Sequence, residues 1–159
     1  VTAQSRQHPL ENRIPPPLVG LLVGAGMAAV AGFAPALPLP DFLRHGLSGL
    51  CVAAGIGFDL AGLLAFRKAR TTVNPLRPGK ASTMVTGGVY RLTRNPMYVG
   101  MLWLLTAWAV HLSALWPFVG LPLFVLYIGR FQIAPEERAL RSLFGKAYDD
   151  YAARVRRWV

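Results

Sequence analysis

The sequence predicts an all-α integral membrane protein, with about four transmembrane helices followed by a C-terminal amphipathic helix. Three observations predict it. Hydrophobic residues make up 53% of the 159 residues and charged residues only 15%, against about 25% in an ordinary soluble domain. The apolar residues gather into four runs long enough, or nearly so, to cross a bilayer. The basic residues, 17 against 7 acidic ones for a net charge of +10, lie beside those runs. Charge placed there fits anionic lipid headgroups, so membrane lipids and not nucleic acid are the expected partners. The single cysteine, Cys51, falls inside an apolar run. That excludes an intramolecular disulfide and a thiolate metal centre, and no metal is expected.

Residues 1–17 are polar and end in Pro15-Pro16-Pro17, which reads as a tail or an interfacial segment. Arg6 and Arg13 precede the first span, but the apolar run exceeds a signal-peptide core, so no cleaved leader is expected. The first span is read from Leu18 to about Leu39, ended by Pro35, Pro38 and Pro40. Its Gly20-xxx-Gly24 spacing predicts close helix approach. Asp41 to His45 reads as a short link, and the second span runs from about Gly46 to Phe66.

Asp59 lies inside that second span. An ionisable group at membrane depth is costly and faces a partner or a polar cavity. It is read as a packing partner for an arginine or a backbone group, or as a substrate contact.

Arg67 to Pro96 is a long connection carrying Arg67, Lys68, Arg70, Arg77, Lys80, Arg91 and Arg94, with no acid. Connections this long are often functional. Pro96–Leu112 and Pro117–Ile133 read as a tight hairpin of short spans, with His111 a structural residue at its tip. Pro135-Glu136-Glu137 opens the last helix, whose apolar residues recur at helical spacing to Val155. Acids at its start and Arg154, Arg156 and Arg157 at its end suit the helix dipole. Basic residues crowd the second-to-third connection and the region after Arg130, while the other links have only Arg44. The positive-inside rule then puts both ends of a four-span chain in the cytoplasm.

The stretch Thr83-Met-Val-Thr-Gly-Gly-Val-Tyr-Arg-Leu-Thr-Arg-Asn-Pro-Met-Tyr-Val-Gly100 organises the rest. Asn95-Pro96 reads as a helix start, with asparagine as the cap and proline at the first helical position. Such an end carries partial positive charge and holds an anionic group or a polar ligand edge.

This stretch, with Glu136-Glu137-Arg-Ala-Leu-Arg-Ser-Leu-Phe-Gly145 and Tyr148-Asp-Asp-Tyr151, resembles the isoprenylcysteine carboxyl methyltransferase and phospholipid methyltransferase superfamily of integral membrane enzymes. The resemblance covers roughly residues 70–157 and implies S-adenosyl-L-methionine as cofactor. It implies one methyltransferase domain over 1–159, with an N-terminal helix pair at 18–66 and a cofactor-binding catalytic part at 67–159. The pocket would lie at the cytoplasmic face of a plasma (bacterial inner) membrane. Cofactor contacts carry over to Ser82, Thr83, Met84, Val85, Tyr90, Asn95, Pro96, Met97, Tyr98 and Glu136. Asp59 and Glu137 are the candidate catalytic carboxylates. In the carboxyl-methylating branch an arginine orients the substrate carboxylate. Gln132 stands at that position here, with Arg130 close by, and these two are the candidate substrate residues. The implied acceptor is a small hydrophobic or lipid-like molecule, neutral or basic in its reacting group. Two other functions remain open on the residues alone: a membrane-embedded reductase using a nicotinamide cofactor, and a non-catalytic protein binding anionic lipid.

Overall fold

A computed structural model describes residues 11–69 and 84–159 of the chain. The expectations for Ser82 and Thr83, and the turns expected at 71–79, lie outside the described residues. Six α-helices run in order: α1 Pro16–Ala31, α2 Asp41–Lys68, α3 Pro96–Leu112, α4 Gly120–Ile128, α5 Ala134–Phe144 and α6 Lys146–Arg154. Among the described residues there is no strand beyond an isolated bridge between Ala36 and Ala114.

Two helical runs are long and apolar enough to cross a membrane, Asp41–Lys68 and Trp116–Phe144, and α1 and α3 are shorter apolar helices. Large apolar side chains such as Leu21, Leu22, Leu50, Leu64, Leu123 and Leu126 point outward. An apolar surface of this extent marks a contact with a membrane or another protein.

α3 keeps the bounds read from the sequence. Pro96 starts it, and Ser113 stops it in the left-handed conformation at φ 52°. The other helices differ from expectation for identifiable reasons. α1 ends at Ala31, eight residues early, because Pro35 has no N–H for the Ala31 carbonyl. The chain closes instead through Phe33 N–H to Val30 O and Ala34 N–H to Ala31 O. Residues 35–37 then pair with 113–115, Leu37 N–H donating to Ser113 O and Leu115 N–H to Pro35 O. Asp41 to His45 is not a link but the first turn of α2, directly after Pro40, with Asp41 suited to the positive end. α2 therefore has 28 residues and a length of about 42 Å, more than the hydrocarbon core.

The break expected at Pro135 does not occur. Trp116–Phe144 continues through a π-helical segment, Gly129–Ile133. Pro135 cannot bond the Phe131 carbonyl one turn back, and that carbonyl accepts the Asn12 N–H at 3.0 Å. The expected single C-terminal helix is two, α5 and α6, divided at Gly145, whose φ of 53° favours glycine. α6 ends at Arg154, so Arg156 and Arg157 lie beyond it in a tail that starts extended at Val155.

α2 and α3 pack antiparallel on a stripe of α2, Gly55, Asp59, Gly62 and Phe66. Gly55 lies against Gly100 and Leu104, and Gly62 against Pro96 and Met97. Phe66 meets the Tyr90 ring edge-on at 5.5 Å. Gly20 faces open space and Gly24 meets Leu105 and Trp108, so only the second half of the predicted glycine pair makes contact. The Trp108 indole N–H donates to Gly24 O at 3.0 Å. His111 stacks on Trp108 at 5.6 Å, the structural setting expected for it. The core gathers Val19, Met27, Tyr98, Leu105, Ala109, Phe124, Ile128 and Ile133, with Ile14 and Trp158 packed against it from the two ends of the chain.

Candidate functional site

Tyr98 stands one turn into α3 and Glu136 in the first turn of α5, 38 residues later. The Tyr98 hydroxyl donates to Glu136 Oε1 at 2.6 Å. Both motif stretches are thus brought to the same end of the bundle. Tyr98 is buried and Glu136 partly so.

The chain reaches α3 through a turn at Gly88–Arg91, made possible by Gly88 at φ 62°. Met84 and Val85 precede it as partly buried residues without regular structure. Tyr90 is buried between the Phe66 ring and the Tyr151 side chain, whose hydroxyl donates to Tyr90 O at 2.7 Å. Burial pushes the Tyr90 phenol up, with Tyr151 and Glu136 adding to the effect. Burial also pushes Tyr151 up, to about 12. Both phenols are therefore neutral near pH 7. Pro96 and Met97, two of the expected cofactor contacts, pack against Gly62 of α2.

Asn95 does not cap α3 with its side chain. Its Nδ2 donates to Arg157 O at 2.9 Å, while its backbone carbonyl accepts the Tyr98 and Val99 N–H groups. The side chain is drawn away because the C-terminal tail passes beside it. Thr93, fully buried, donates its hydroxyl to Arg157 O at 3.1 Å and accepts the Asn95 N–H at 3.1 Å. Arg94 N–H donates to Arg156 O at 2.9 Å.

Glu137 is the hub of an ion-pair cluster. Its Oε1 accepts from Arg157 Nε at 3.0 Å and forms an ion pair with Arg94 Nη2 at 3.0 Å, and its Oε2 accepts from Arg157 Nη2 at 2.5 Å. Hydrogen bonding to Glu137 raises the Arg157 guanidinium further above its ordinary range. Arg94 Nε is buried with no partner among the described residues.

The two candidate substrate residues face the N-terminal segment. Gln132, 1% exposed, donates through Nε2 to Ile14 O at 2.8 Å. Arg130 is exposed and pairs with Glu11 at 3.0 Å, beside Arg138, which reaches the other Glu11 oxygen at 2.5 Å. Asp59 packs directly on Gly100 of α3, and no Lys or Arg among the described residues forms an ion pair with it.

Thr93, Arg94, Arg157 and the Tyr151 hydroxyl escaped the sequence reading. Their partners lie 20 to 64 residues away, and no local pattern encodes such pairings. The sole signal was the run of arginines near the C-terminus, which was read as a complement to the helix dipole.

The sequence model of the phospholipid methyltransferase family matches residues 43–147. An uncharacterized protein of Haemophilus influenzae is 43% identical over 63 residues, 40% of this chain and 100% of that protein. The protein-S-isoprenylcysteine O-methyltransferase of Schizosaccharomyces pombe is 28% identical over 151 residues, 87% of this chain and 62% of that protein. A probable protein-S-isoprenylcysteine O-methyltransferase of Oryza sativa subsp. indica is 40% identical over 79 residues, 45% of this chain and 38% of that protein. The chain thus spans less than two thirds of the length of these two methyltransferases. No solved structure matches it at a significant level.

Proposed function

The chain belongs to the phospholipid methyltransferase family, and we propose that it transfers a methyl group from S-adenosyl-L-methionine to a small hydrophobic or lipid-like acceptor at the membrane surface. The observation that carries this reading is the 2.6 Å bond from Tyr98 to Glu136, which joins the two motif stretches at one point.

The residues there fit the cofactor's chemistry. Tyr90 and Tyr98 offer aromatic faces, which favour a sulfonium. Glu136 has one oxygen bonded to Tyr98 and no hydrogen bond to the other among the described residues, leaving it to accept from an ammonium or ribose hydroxyls. Arg94 Nε is a buried donor without a partner among the described residues. Met84, Val85, Asn95, Pro96 and Met97 frame the same end, with Ser82 and Thr83 carried in the reading by the motif. When bound, S-adenosylmethionine supplies an activated methyl group. This chain's part is to orient the two reactants and exclude water.

In this reading α1, α2, α3 and the Trp116–Phe144 run all cross the bilayer, and residues 1–159 form one unit in a plasma membrane. The cofactor site faces the cytoplasm. The acceptor enters from the bilayer and carries no carboxylate at its reacting end, because Gln132 and Arg130 are engaged by Ile14 and Glu11. A buried carboxylate without a cationic partner would be costly. Asp59, without an ion-pair partner among the described residues, pairs with an ammonium or takes its proton before attack. Glu137, bonded to two arginines, holds the site in shape.

Calorimetry on detergent-purified protein tests the reading, with S-adenosylhomocysteine and NADPH as ligands. Binding of the first and not the second is the expected result. Binding of NADPH alone would favour a reductase, and binding of neither a non-catalytic lipid-binding protein. With a labelled methyl donor, amine-bearing amphiphiles should be methylated faster than farnesylcysteine. The rate should rise with pH through the amine's titration, since only the neutral amine attacks, and Asp59→Asn should slow it.

A further inference from the structure

We propose that Arg157 is a positioning residue of the cofactor site, closing the C-terminal tail, the 93–95 loop and α5 into one ring. The proposal rests on the methyltransferase reading above. Arg157 holds both sides of the seam by independent means. Its guanidinium forks onto the two Glu137 oxygens. Its main-chain carbonyl accepts from Thr93 Oγ1 and Asn95 Nδ2. Arg94 completes the ring, bonding Glu137 through Nη2 and Arg156 O through its backbone N–H.

The position of this ring gives it a consequence beyond anchoring the tail. Glu137 adjoins Glu136, and Asn95 stands at the start of the helix that carries Tyr98. Each half of the ring is therefore one to three residues from one member of the Tyr98–Glu136 pair. If the seam slips, the two halves of the pair part. A bidentate arginine–carboxylate bond fixes direction as well as distance. Glu137 and Arg94 keep 12% and 15% of their side-chain surface exposed and Arg157 41%, so solvent screens the Glu137 carboxylate less than it would a surface carboxylate. Arg141–Asp149, which joins α5 to α6, is the contrast: each side chain is 53% exposed, and the bond is single.

The test uses the full-length protein in detergent, with S-adenosylhomocysteine affinity by calorimetry and amide hydrogen exchange of the ligand-free protein. Arg157→Met is expected to weaken binding about tenfold and to speed exchange at Asn95, Tyr98 and Val99 while leaving α1 unchanged. Arg157→Lys, which keeps the charge without the fork, should fall between. Arg141→Met should match the wild type. If Arg157→Met does not fold, Thr93→Val cuts the ring at its other side and should show the same pattern in weaker form. A folded Arg157→Met protein with wild-type affinity and wild-type exchange at 95–99 would overturn the proposal. So would a general loss of stability without a change in affinity, since that marks a tail anchor only. A wild-type protein that binds no S-adenosylhomocysteine would end the cofactor reading itself. The exchange measurement would then still decide whether Arg157 holds this loop.

Discussion

Tyr98 and Glu136 show how two residues far apart in sequence become one chemical unit. Pro96 fixes the start of α3 and so the direction of Tyr98; the continuous Trp116–Phe144 run brings Glu136 to the same level. A phenol donating to a carboxylate at 2.6 Å is a charge-assisted bond that aligns the carboxyl for a ligand. Glu136→Ala should weaken S-adenosylhomocysteine binding by about 1.5–3 kcal/mol, the range for a hydrogen bond to a charged group. Glu136→Gln should lose less, because the amide oxygen still accepts from Tyr98, and Tyr98→Phe should lose affinity while the fold is retained. Calorimetry, with circular dichroism to check the fold, measures all three. Undiminished affinity in folded Glu136→Ala would remove Glu136 from the site. These two residues were legible in the sequence because each sits in a short motif. Thr93, Arg94 and Arg157 were not, because what matters about them is a pairing across 20 to 64 residues.

Helix contacts follow from what glycine leaves out. Along α2, Gly55 and Gly62 let α3 come close, and Gly100 answers from the other side. A methyl group at Gly100 would collide with the Asp59 carboxylate and lie 2.9 Å from the Gly55 carbonyl oxygen. The Asp59 carboxyl could turn aside but the Gly55 carbonyl is backbone, so Gly100→Ala should destabilise the protein by roughly 1–3 kcal/mol. Gly57→Ala, on α2 but facing open space, should be neutral or stabilising, since alanine is the better helix former. Thermal unfolding in detergent compares the two; equal melting temperatures would mean that this approach is not close. The sequence reading located α3 to the residue because its Asn-Pro start and polar stop are local signals. It misplaced the end of α1, the start of α2 and the break at Pro135, which depend on what the chain meets next. Residues 35–37 leave the helix to pair with 113–115, and the Phe131 carbonyl that Pro135 cannot bond accepts the Asn12 N–H.

At the scale of the whole molecule, charge and packing agree on two unlike ends. One end holds the start of α3, α5, α6 and residues 11–15 and 155–159, with Arg91, Arg94, Arg130, Arg138, Arg141, Lys146, Arg154, Arg156 and Arg157 among its residues. The other holds the 32–40 link and residues 113–119, where Arg44 is the sole Lys or Arg nearby among the described residues, and Asp41 offsets it at 2.8 Å. The positive-inside rule counts basic residues within short reach of the spans, and it assigns the first end to the cytoplasm. The all-helical architecture and its apolar exterior were legible from composition and run length alone. The orientation is a prediction from charge. In a Cys51→Ser background, single cysteines at Lys146 and Val159 should resist a membrane-impermeant maleimide added outside intact cells and react once the membrane is opened. A cysteine at Leu115, 48% exposed at the opposite end, should react from outside without opening. Lys146 and Val159 reacting on different sides would require a crossing between them, and Leu115 reacting on the same side as both would mean that the Trp116–Phe144 run does not cross. Both reacting from outside would invert the molecule and put the Tyr98–Glu136 pair on the side away from the cytoplasm, where S-adenosylmethionine would not reach it.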